Sequence, residues 1–84
     1  MIKEHDCVVL TADIAKSKLV SGDCGVVVHV HKGGEAYEVE FLTMTGWTFA
    51  IATVLAAQLR PVGEGDLYHA RTIGGARSDW PAQS

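Results

Sequence analysis

His29 and His31 alternate along a valine-rich segment of an 84-residue chain, so on an extended strand both imidazoles project from one face, about 6.5 to 7 Å apart. That spacing suits a metal site on a sheet, and Cys24, His5 or Glu38 would be needed to complete a tetrahedral set. The chain has no Cys-x-x-Cys or His-Glu-x-x-His spacing to reinforce a metal site. The plainer reading pairs His29 with Glu38 across two strands and leaves His31 at a wet hairpin end. Cys24 stands in a turn, where a thiol is accessible, and Cys7 follows His5 and Asp6. A nucleophile needs an adjacent base and an orienting third group, and here the groups are adjacent only along the chain. No catalytic residue and no cofactor is therefore assigned, and Cys7 reads as a small strand residue. Trp47 on a short hairpin and Trp80 in a glycine-rich tail, with Phe49 and Tyr68, are residues of the type that anchors protein interfaces.

Positioning these side chains falls to a single small core. With 84 residues, 48% hydrophobic and 20% charged, the chain is too apolar for disorder and too short for two domains. A core of that size leaves thin stability, which pairing with a second copy or a protein partner would raise. The formal charge is −3, with lysines and arginines scattered singly, which disfavours a nucleic-acid surface. The charged N-terminus offers no secretory signal and no run approaches a membrane span, so the expected compartment is the cytosol, where Cys7 and Cys24 stay reduced.

Cys7–Thr11 reads as a first strand, followed by an irregular connection from Ala12 to Val20 with no helix beyond a turn. Gly22-Asp23-Cys24-Gly25 turns into the strongest strand, Val26–His31. Gly33-Gly34 supplies a two-residue primed hairpin turn into Ala36–Thr43. That loop sets Val30 opposite Tyr37, Val28 opposite Val39 and Val26 opposite Phe41 on the core face, with His29 opposite Glu38 and Val27 opposite Glu40 on a solvated acidic face. Gly33-Gly34 needs no phosphate to explain it. A three-residue loop, Met44-Thr45-Gly46, then places Phe49 opposite Phe41 and Ile51 opposite Val39 in a fourth strand from Trp47 to Thr53. Ala56-Ala57-Gln58 reads as a single helical or 3-10 turn before a short last strand, Leu59–Val62, which lies at an edge or ends at Pro61. Residues 1–62 form the domain and 63–84 a tail that drapes, frays or docks on a neighbour.

Five short antiparallel strands, a long first loop and a one-turn helix before the last strand are the order of a small SH3-like barrel, an all-β fold. Gly22-Asp23-Cys24-Gly25-Val26-Val27-Val28, Tyr37-Glu38-Val39-Glu40-Phe41, Gly46 and Gln58-Leu59-Arg60-Pro61 together resemble a bacterial family of small proteins known only as a domain of unknown function. The resemblance spans residues 5 to 62 and is carried by structural positions. More distantly, the chain is similar to the barrels of ribosomal and transcription-factor modules and of the nitrile hydratase β subunit. The resemblance implies a stand-alone accessory protein and supplies no catalytic residue, while Trp47 replaces a commoner polar residue. The leading expectation is thus a non-enzymatic module that binds a protein partner or itself through Trp47, Phe49, Tyr68 and Trp80. The alternatives are a metal or small-ligand protein using His29, His31 and Cys24, or a nucleic-acid-binding barrel.

Overall fold

A computed structural model describes residues 1–73. Five strands, β1 (Cys7–Leu10), β2 (Cys24–His31), β3 (Ala36–Leu42), β4 (Thr48–Leu55) and β5 (Leu59–Pro61), form one antiparallel sheet in the order β4-β3-β2-β1-β5. Only two 3-10 turns, Ala15–Ser17 and Ala56–Gln58, interrupt the described strands and loops. The all-β class, the strand count and the turn before β5 agree with the expectation from sequence. Pro61 lies on the edge strand, where its missing N–H costs no ladder bond. Trp80 lies outside the described residues.

The core takes Val8 and Leu10 from β1, Leu19 from the first loop, Val27 from β2, and Tyr37, Val39 and Phe41 from β3. Ala52 and Val54 from β4 and Leu59 from β5 complete it. β3 keeps the expected alternation. Both of its neighbours depart from the expected register, and each does so through a one-residue bulge.

On β2, Val30 opposes Tyr37 and His29 opposes Glu38 as expected, but a bulge follows, and Val27 then pairs with Val39 and Val26 with Glu40. Val27 is consequently fully buried, whereas Val28 is 40% exposed. The expected pairs Val28–Val39 and Val26–Phe41 do not form. The shift has a packing cause: Gly25 pairs with Val8 and faces inward with it, so β1 contributes Val8 and Leu10 to the core instead of Cys7. The first hairpin also turns one residue early, with Lys32 and Gly33 as well as Gly34 at positive φ and His31 O accepting from the Gly34 N–H at 2.9 Å. The register beyond the turn is unaffected.

On β4 the three-residue loop is present, since Thr43 N donates to Trp47 O at 2.7 Å and Leu42 pairs with Thr48. A bulge at Phe49 then sets Phe41 opposite Ala50, Val39 opposite Ala52 and Tyr37 opposite Val54. Phe49 is half-buried against the core, and Ile51, expected inside, is 59% exposed. Without the bulge Tyr37 would face Thr53 and bury a hydroxyl. With it, the apolar Val54 takes the inner position and Thr53 finds a partner outside.

Gly25 fixes how closely β3 approaches. A Cβ at this position would lie 2.5 Å from Val39 Cγ1 and 2.8 Å from the Glu40 carbonyl oxygen, and backbone cannot give way as a flexible side chain can. Gly25→Ala is expected to lower unfolding free energy by about 1–3 kcal/mol with an unchanged denaturant slope. Urea titration followed by circular dichroism measures both, and unchanged stability would contradict the close approach.

Candidate functional site

Past the bulge, His29 and His31 share the outer face of β2, and their rings meet edge to face with centroids 4.6 Å apart. Glu38 on β3 accepts hydrogen bonds from two strands. His31 Nε2 lies 2.8 Å from its Oε2, and Thr53 Oγ1 on β4 donates to the same oxygen at 2.6 Å. His31, not the directly opposed His29, is thus the imidazole paired with Glu38, because its ring reaches diagonally along the strand. The hydrogen bond from Thr53, followed by that from His31, holds the Glu38 carboxyl below the ordinary glutamate value. Glu40 is likewise engaged, accepting from Thr48 Oγ1 at 2.5 Å. A shallow cleft of about 420 Å³ beside this cluster is lined by residues including His31, Lys32, Glu35, Glu38, Thr53 and Leu55.

Cys24 lies at the other end of β2 and pairs with Val9. It stands five positions along the strand from His29, roughly 16 Å, so the two cannot share one ion. Among the described residues no group of three or more His, Cys, Asp or Glu side chains is placed to hold a metal. Both cysteines are free and exposed. Burial, reinforced by the carboxylates of Asp23 and Asp66, pushes the Cys24 thiol up, which disfavours the thiolate a nucleophile requires.

Two ion pairs absent from the sequence reading hold the start of the tail. Arg60 donates to both Asp66 carboxylate oxygens at 2.8 and 2.7 Å. Arg71 donates to Asp23 at 2.8 and 2.6 Å and to the Lys18 carbonyl at 3.2 Å. Burial would raise the Asp23 carboxyl, but Arg71 and the Val20 N–H outweigh it and hold it low. Between these anchors Leu67 and Tyr68 project fully into solvent.

A further set of exposed apolar residues lies elsewhere. Leu42, Met44, Trp47, Ile51 and Leu55 are all exposed, and they cluster on β4 and the hairpin leading into it. Every residue from Phe41 to Leu59 is uncharged. Of the residues expected at an interface, Trp47 and Tyr68 are exposed, while Phe49 is half-buried. Sequence reasoning assigned Ile51 to the core and passed over Leu55; the uncharged run was the signal that could have marked both.

No helix among the described residues is long and apolar enough to cross a membrane. A family model described as a domain of unknown function (DUF4926) matches residues 4–61. No curated protein and no solved structure matches the chain.

Because Glu38 is stabilised as the carboxylate, its contribution is present above the ordinary value of 4.5 and is lost as pH falls through the lowered one. Glu38→Gln should therefore be less stable than the parent at about pH 7, and the difference should shrink away as the pH falls through the lowered Glu38 value. Thermal unfolding of both proteins across that range checks this, and a difference that persists in acid would contradict it.

Proposed function

The chain belongs to the DUF4926 family, whose model matches residues 4–61, and from that premise we propose a non-enzymatic, cytosolic protein-interaction module built on an SH3-like barrel, which offers the free side of β4 to another β-strand. The strand order, with β5 beside β1 at one edge and β4 at the other, supports the barrel reading. One observation carries the interaction reading: the sheet's two edges are protected to opposite degrees.

Exposed edges invite pairing with other chains, and proteins normally blunt them with short strands, charge or proline. β5 is three residues long and carries Arg60 and Pro61. β4 is eight residues long, contains neither charge nor proline, and shows Ile51 and Leu55 to solvent at 59% and 57%. The bulge at Phe49 interrupts only its beginning. Strand addition draws affinity from main-chain hydrogen bonds and selectivity from alternate side chains, and β4 offers both.

A photo-crosslinking residue at position 55 in the tagged protein, expressed in its own host, should give adducts that Thr53→Pro abolishes while leaving the fold intact. Proline removes an N–H from the free side and spares the ladder to β3. Absence of adducts, or adducts indifferent to the proline, would overturn this reading.

A further inference from the structure

Ala56 N donates to Glu35 O at 3.1 Å, continuing the β3–β4 register by one step. Antiparallel ladders alternate hydrogen-bonded and non-hydrogen-bonded pairs, so Val54, Ala52 and Ala50 bond to β3, and Leu55, Thr53 and Ile51 direct their N–H and C=O groups away from it. The Leu55 N–H is already taken by Gln58 Oε1 at 3.0 Å. What stays open is a short window: the N–H groups of Ile51 and Thr53 and the carbonyls of Ile51, Thr53 and Leu55.

Beside this window Glu38 accepts from His31 and Thr53 and Glu40 accepts from Thr48, while Lys32 and Glu35 border its Leu55 end. Ile51 and Leu55 present exposed apolar side chains on either side of Thr53, so the strand that matches them carries apolar residues four apart on one face. β4 answers that description, with Ile51 and Leu55 flanking Thr53.

The geometry points to a second copy of this chain as the occupant, an inference that rests on reading β4 as the docking edge: two β4 strands pair antiparallel about a two-fold axis at Thr53, joining two sheets into one. In this register Thr53 faces its symmetry mate, and Ile51 faces Leu55 of the other copy on both sides of the axis. Four main-chain hydrogen bonds form without displacing Gln58: Thr53 N–H to Thr53 C=O twice, and Ile51 N–H to Leu55 C=O twice. A register centred on Ala52 makes as many main-chain bonds but sets Ile51 against Thr53, leaving the apolar side chains unmatched. Threonine–threonine and apolar cross-strand pairs are the favoured kinds. So small a contact sits at the low end of interface sizes, where weak and transient encounters are found.

Analytical ultracentrifugation up to about 1 mM, with amide exchange at both ends of the range, tests the pairing. The expected result is a monomer–dimer equilibrium with concentration-dependent protection of the Ile51 and Thr53 amides. Ile51→Lys and Leu55→Glu should each raise the dissociation constant about tenfold, since symmetry applies each loss twice. The double variant should recover most of the loss, because the lysine introduced on one copy then faces the glutamate introduced on the other; both positions are solvent-exposed, and thermal unfolding verifies the fold. A monomer throughout, with freely exchanging amides, overturns the second copy as occupant while edge-dependent crosslinks to another protein would still uphold the docking edge. A dimer without protection at Ile51 and Thr53, or a double variant no better than the singles, overturns the proposed pairing.

Discussion

Burial of Tyr37, Val39 and Phe41 on one side of β3 is the constraint to which the other strands adjust. β3 is the middle strand of both hairpins, so its alternation can be met only if β2 and β4 each present apolar groups at matching positions. Neither does so with an uninterrupted strand. β2 gives up Val28 and β4 displaces Phe49, and each bulge moves the rest of its strand to the opposite face. The gain lies in what comes inside: Val27 beside Gly25 on β2, and Ala52 and Val54 in place of Ile51 and Thr53 on β4. A bulge disrupts a ladder locally, and here it spares the core the Thr53 hydroxyl, which buried without a partner costs about 1–3 kcal/mol.

The surface follows from the same adjustment. Once Thr53 faces outward its hydroxyl reaches Glu38, which His31 reaches from the other side, and the outer face becomes a hydrogen-bonded band across three strands. Ile51 and Leu55 are left in solvent on either side of that band. The apolar edge is thus what remains when the core takes the smaller residues of β4. At the other end of the sheet, Arg60 and Arg71 tie the start of the tail to Asp66 and Asp23, so the two edges differ in covering as well as in composition.

Elements bounded by local chemistry were legible in the sequence. The 3-10 turn at Ala56–Gln58, the three-residue loop after Thr43 and the edge position of Pro61 depend on nearest neighbours, and each is present, whereas the hairpin at Gly33-Gly34 closes one residue earlier than its glycines imply. The bulges were not legible, because Val27 and Val28 are chemically identical and only the packing of Gly25 against β3 decides which is buried. The Arg71–Asp23 contact joins residues 48 apart, and no pattern of spacing announces it. His31 displaced His29 as the partner of Glu38 because side-chain reach, which register does not specify, selects the diagonal neighbour.

The bulge at Phe49 is the point on which the free edge depends, and cross-strand proton contacts between β3 and β4 report it directly. Non-hydrogen-bonded antiparallel pairs bring their Hα atoms close together, so a nuclear Overhauser spectrum should contain Hα–Hα peaks between Glu40 and Ile51 and between Glu38 and Thr53. Peaks between Glu40 and Ala50 and between Glu38 and Ala52 instead would return Ile51 to the core and contradict the account.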